Sequence, residues 1–211
     1  MSVRLKICGL TRRADLEACI ELGVDAVGLN FWPGSKRGLS LPAARELVQG
    51  LERGSTHVVG VFVEASPEQV LECVQACELD AVQLHGDQAW DDYALLGVPL
   101  VRVVRGTPAL EELVPGEPAP SWVILDAAVE GFGGQGRRTD WTWAASAVRH
   151  LAPLATWLAG GIDPANIAEA LSQVRPSGVD VASGAELAGA LHGEKDLAKV
   201  ETLLRACRAH S

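Results

Sequence analysis

The sequence predicts a single (β/α)8 barrel over residues 1–211, and three observations carry that prediction. Short, continuously apolar runs recur at 5–8, 26–31, 57–62, 81–85, 100–104, 122–126, 156–159 and 178–181. Unbroken apolarity marks strands covered on both faces. Helical patterns lie between the runs, giving eight strands and about eight helices in alternation, the pattern of a parallel sheet. Alternation alone leaves that sheet either closed or open and doubly wound. The first turn, Cys8-Gly9-Leu10-Thr11, lacks the G-x-G-x-x-G of the open dinucleotide-binding sheet, which favours closure.

Each element has its own signals. Arg4 and Lys6 interrupt the first apolar run, so the N-terminus reads as a strand rather than a signal peptide. Ser66-Pro67-Glu68-Gln69 combines an N-cap serine, a proline at the first helical position and a capping-box glutamine, followed by Val70, Cys73, Val74 and Cys77 on one face. Asp163-Pro164 opens another helix, with Ile167, Leu171 and Val174 on its stripe. The last helix carries Leu197, Val200, Leu204 and Cys207. The longest irregular stretches, 32–40 and 127–140, follow the second and sixth strands, on the face where barrels of this kind carry their chemistry.

Bulk properties narrow the function. A net charge of −9 with no basic stripe argues against nucleic acid or an anionic membrane as partner. No run reaches the roughly 18 apolar residues of a membrane span. Five cysteines, an odd number without C-x-x-C spacing, fit free thiols in a reducing cytoplasm. The i, i+4 pair Cys73 and Cys77 lacks a second ligand pair, so no metal is expected.

Strand ends converge at a barrel mouth, which singles out Cys8, Arg37 after the second strand, His85, Asp126 and Asp180. Each alone has an ordinary reading: a buried small thiol, a solvated loop charge, a strand-end histidine, a turn aspartate, a capping carboxylate. A phosphate signal is stronger. Gly160-Gly161 after the seventh strand and Ser183-Gly184 after the eighth let backbone N–H groups approach an anion.

Six motifs in order then resemble one family. Lys6-Ile7-Cys8-Gly9-Leu10-Thr11, Ser35-Lys36-Arg37, Val82-Gln83-Leu84-His85-Gly86, Leu125-Asp126 with Gly133-Gly134-Gln135-Gly136 and Asp140-Trp141, Leu158-Ala159-Gly160-Gly161-Ile162, and Val179-Asp180-Val181-Ala182-Ser183-Gly184 are similar to those of phosphoribosylanthranilate isomerases. Ala182, Ala185, Gln135 and the segment Arg137-Arg138-Thr139 depart from the family's usual residues. The resemblance implies an isomerase of tryptophan biosynthesis acting on a small phosphorylated substrate, without cofactor, as monomer or homodimer. It implies Cys8 as general base, Asp126 as general acid, and Arg37 as the holder of the anthranilate carboxylate. His85 and Asp180 would contact the substrate, and the two glycine motifs its phosphate.

The implied chemistry sets conditions. A free thiol of pKa about 8.5 is only slightly ionised near pH 7, so Cys8 is expected to have a lowered pKa. Asp126 is expected to be raised by burial beneath the glycine-rich loop. Two other readings share parts of the pattern: another phosphosugar isomerase, and a phospholigand-binding barrel without turnover. The retained Cys8–Asp126 pair favours the enzyme.

Overall fold

β-Branched and leucine-rich runs form eight parallel strands: β1 (Arg4–Cys8), β2 (Ala26–Asn30), β3 (His57–Phe62), β4 (Ala81–Leu84), β5 (Leu100–Arg105), β6 (Trp122–Asp126), β7 (Thr156–Leu158) and β8 (Gly178–Val181). Each pairs with the next and β8 pairs with β1, so the sheet closes as a barrel. The computed structural model describes residues 2–114, 116–127, 138–189 and 192–210.

Side chains alternate along a strand, and here both faces are covered. Leu5, Ile7, Val179 and Val181 pack outward under the helices. Ala26, Val59, Ala81, Val101, Ile124 and Trp157 fill the lumen. Trp157 stacks on Trp122, with ring centroids 5.3 Å apart at 22°. Gly178 on β8 makes room for that stack, since a Cβ there would sit 2.6 Å from the Trp157 ring. Trp143 and Trp90 instead donate their indole N–H to Pro108 O (2.9 Å) and Pro118 O (2.7 Å). These four tryptophans thus act as fillers and clasps, roles the sequence did not reveal.

Six α-helices are described: α1 (Arg13–Leu22), α2 (Leu41–Val48), α3 (Pro67–Cys77), α4 (Trp141–Leu151), α5 (Ile167–Val174) and α6 (Leu197–Ala209). The expectation of about eight is corrected after β4 and β5, where the described chain makes only 3-10 turns at Trp90–Tyr93 and Leu110–Glu112. Pro108, Pro115, Pro118 and Pro120 strip donors from the second of these segments. The first is cut short by Gly97 and Pro99.

The capping box of α3 forms as read, with both reciprocal bonds between Ser66 and Gln69. Asp163 does not open α5 directly. Its carboxylate accepts from Ala165 N (2.8 Å) and Asn166 N (3.2 Å), a turn that delays the helix to Ile167. On α6 the buried stripe is Val200, Leu203 and Cys207, while Leu197 at the first helical position is exposed and Leu204 is half-buried. No helix among the described residues is long and apolar enough to cross a membrane.

Candidate active site

Lys6 and Cys8 lie two residues apart on β1 and therefore on the same, lumen-facing side. The register pairs Lys6 with Asp180 on β8. The Lys6 ammonium is fully buried and donates to Asp180 Oδ2 (2.9 Å) and Gln83 Oε1 (2.9 Å). Burial alone would lower its pKa, but the Asp180 carboxylate beside it and Cys8 outweigh that, and the pKa stands above the ordinary lysine value. Lys6 is held as a cation beneath the thiol. Gly28 of β2 leaves the space for both, since a Cβ there would lie 2.7 Å from Cys8 Sγ and 3.1 Å from Lys6 Cε.

Cys8 was expected to have a lowered pKa. The structure corrects this: burial pushes the thiol up, and the pull of Lys6 and Lys195 only partly offsets it. The resting group is the thiol.

Across the mouth, Asp126 ends β6 with only 8% of its surface exposed. Burial raises its carboxyl to about 6, against the opposing Ala127 N–H, which donates to Oδ1 at 2.8 Å. His85 follows β4 with its Nε2 3.7 Å from Asp126 Oδ2. Burial, then Arg105 and Lys6, lower its pKa to about 4, so the ring is neutral near pH 7. The hydrogen-bond chain assigns its tautomer. Lys6 can only donate, so Gln83 accepts through Oε1 and donates through Nε2 toward His85 Nδ1 at 3.5 Å. The ring proton therefore sits on Nε2 and faces Asp126. Two buried atoms in this group, His85 Nε2 and Asp180 Oδ1, make no hydrogen bond within the described protein.

Arg37 reaches the same mouth from the loop after β2. Its Nε and Nη2 donate to Glu186 Oε1 (2.5 Å) and Oε2 (2.9 Å), a bidentate pair. Glu186 Oε1 also accepts from Gly193 N (3.0 Å) and Lys195 Nζ (3.2 Å). Burial opposes ionisation of Glu186, but the bonds to Arg37 and the Lys195 charge prevail and take it down to about 2.

The loops after β7 and β8 form the remaining wall. Gly160 and Gly161 both adopt left-handed backbone, at φ 83° and 67°. Asn166 Nδ2 ties off Gly161 O at 2.8 Å. Ser183–Ala185 form a 3-10 turn, and a Cβ on Gly184 would collide with the carbonyl oxygen of Ile162. Among the described residues, the backbone N–H groups of Gly161, Ser183 and Gly184 donate to no acceptor.

Comparison with known proteins gives the family. The family described as N-(5'-phosphoribosyl)anthranilate (PRA) isomerase matches residues 5–206. The chain belongs to the PRA isomerase family. A relative of that name from Myxococcus xanthus is 43% identical, covering 99% of this chain and 98% of the relative. A second, from Dechloromonas aromatica, is 37% identical over 99% of this chain and 97% of its own length. Among solved structures, the phosphoribosylanthranilate isomerase of Thermotoga maritima is similar at TM-score 0.83 and 31% identity, covering 98% of this chain and 99% of that one. A phosphoribosylanthranilate isomerase solved in complex with reduced 1-(o-carboxyphenylamino)-1-deoxyribulose 5-phosphate matches at TM-score 0.80 and 29% identity, with coverage of 98% and 99%.

Against the PRA isomerase expectation, the structure brings Cys8, His85, Asp126 and Asp180 to one mouth, flanked by Arg37 and by the Gly160-Gly161 and Ser183-Gly184 loops. The glycine-rich stretch Gly133-Gly134-Gln135-Gly136 lies outside the described residues. Sequence reasoning missed Lys6, Gln83, Gly28 and Lys195. The first two were findable, because Lys6-x-Cys8 and Gln83-x-His85 share the strand period of two. Lys195 gave no such signal, since it reaches Cys8 O (2.8 Å) from a loop 187 residues away.

Proposed function

We propose that the protein converts N-(5-phosphoribosyl)anthranilate to 1-(2-carboxyphenylamino)-1-deoxyribulose 5-phosphate, an aldose–ketose (Amadori) rearrangement, as one domain over residues 1–211. The observation that carries this reading is a buried acid and a thiol at the ends of strands three apart around one barrel mouth, Asp126 on β6 and Cys8 on β1, in a chain of this family.

The steps balance within the substrate. Asp126, protonated, gives its proton to the furanose ring oxygen as the C1–O bond breaks, and the nitrogen lone pair forms the C1=N bond of a protonated Schiff base. Cys8, as thiolate, removes the proton from C2, and the C–H electron pair moves through C1 to nitrogen as an enolamine. Tautomerisation returns a proton to C1 and leaves the ketone at C2. The carboxyl near 6 suits the first transfer, because an acid must hold its proton near working pH and still release it. The Lys6 ammonium stabilises the thiolate needed for the second.

Arg37 holds the anthranilate carboxylate, a planar partner for a guanidinium fork. The free N–H groups of Gly161, Ser183 and Gly184, with Gly160 shaping the turn, cradle the phosphate. His85 and Asp180 face the sugar with their unsatisfied atoms. The compound in the related complex carries the same two terminal groups, a carboxyphenyl and a 5-phosphate. The reading places the protein in the cytoplasm, as monomer or homodimer, with neither nucleic acid nor membrane as partner.

The test follows the loss of substrate fluorescence, with phosphoribosylanthranilate generated in situ. Turnover proportional to protein is expected. Folded protein that leaves the signal unchanged would overturn the reading.

A further inference from the structure

Buried charges need partners, and one cluster at the mouth gathers two basic side chains on a single carboxylate. Arg37 and Lys195 are cations with 8% and 0% of their side chains exposed, and both converge on one carboxylate, Glu186.

The cluster adjoins the reacting residues. The Arg37 stem crosses Gly9 so closely that a Cβ there would collide with it. Gly9 follows Cys8 in the chain, and the Lys195 ammonium also donates to Cys8 O (2.8 Å) and Ala182 O (3.2 Å). One buried lysine thereby ties together the ends of β1 and β8 and the carboxylate that grips Arg37.

We propose that Glu186, anchored by Lys195, is a positioning and specificity residue that presets the Arg37 guanidinium and makes the enzyme select aryl-amine sugars that bear a carboxylate. The proposal rests on the isomerase reading and on Arg37 as the carboxylate ligand. A guanidinium pinned through Nε and Nη2 in the plane of a fixed carboxylate cannot swing on its stem. A guanidinium oriented in advance needs less ordering when the substrate carboxylate binds. Because Glu186 is held at about 2, the clamp stays charged throughout the working pH range.

The experiment measures kcat/KM for phosphoribosylanthranilate and for N-(5-phosphoribosyl)aniline, which lacks the carboxylate, with ketose product followed by chromatography. Wild type, Glu186→Gln and Glu186→Asp are compared. The ratio of the two substrates within one preparation does not depend on how much of the protein is folded. Wild type is expected to favour the carboxylated substrate. Glu186→Gln should lower the ratio at least about tenfold, mainly through KM, as one charge-assisted bidentate pair is lost. Glu186→Asp, which keeps the charge, should fall between, and it decides by the same ratio if the Gln variant does not fold. An unchanged ratio in these variants, beside an active wild type, would overturn the proposal alone. A wild type that turns over neither substrate would overturn the isomerase reading and this proposal with it.

Discussion

The same eight strands line both ends of the barrel lumen, yet the two ends present opposite chemistry. On β6 one face runs Trp122, Ile124, Asp126, and on β8 it runs Gly178, then Asp180, so two residues along a strand separate an apolar floor from a charged mouth. The floor is a packed stack of Trp122 and Trp157 on valine, isoleucine and alanine. Among the described residues, its one orphan is the neutral N–H of Trp122. At the mouth lie a fully buried ammonium, an aspartic acid displaced to about 6, a histidine lowered to about 4, and unpartnered atoms on His85 and Asp180. The comparison teaches where stability is gained and where it is given up. Floor residues bury surface, while mouth residues carry costs that only a ligand relieves.

The sharpest way to break this division is Lys6→Met. Removing the cation leaves the Asp180 carboxylate buried and unpaired, and about 3–5 kcal/mol of stability should be lost in chemical denaturation. Turnover should also fall about 100-fold or more, with the remaining activity shifted to higher pH as Cys8 ionises later. Retained activity with an unshifted profile would remove Lys6 from the account. Next, Trp157→Ala should cost a similar 3–5 kcal/mol through the cavity it opens, yet leave the acid limb of the pH profile near 6. A displaced limb would show that floor and mouth are one unit.

How much of this was legible follows from periodicity. Strands buried on both faces have a continuous apolar signature, so their positions came through. The helices expected after β4 and β5 did not form, because tertiary packing accepts short turns where proline and glycine interrupt the pattern. At the site, Cys8 and Asp126 stand at strand ends and were readable. The Arg37–Glu186 clamp joins residues 149 positions apart, and nothing local in either segment announces it. The tuning of Cys8 was also illegible, since burial outweighs Lys6 only in three dimensions.

A smaller effect sharpens the same contrast. The Asp126 carboxyl titrates at about 6 in the fold against 3.8 ordinarily, so the folded chain binds more protons between those values. Stability therefore falls as pH rises from 3.8 to about 6, and the penalty is complete above that. Asp126→Asn should be more stable than wild type by about 2–3 kcal/mol at pH 8 and show no such gain near pH 3, as thermal unfolding at both values would reveal. The smallest expected change is Gly178→Ala. Its added methyl would press on Trp157 and cost about 1–3 kcal/mol in unfolding free energy while the catalytic groups stay in place.

The central claim, that Asp126 and Cys8 act as an acid–base pair, is met most directly by the pH dependence of kcat/KM for wild type beside Cys8→Ala and Asp126→Asn. Below about 6 both groups hold protons and no base is available. Between the two limbs the pair shares one proton, and above the raised range of the thiol the acid is gone. The profile should be a bell with its acid limb near 6 and its alkaline limb above the ordinary thiol value. Losses of about 1,000-fold or more are expected in each variant. A flat wild-type profile, or either variant within about tenfold of wild type, would contradict the acid–base pair.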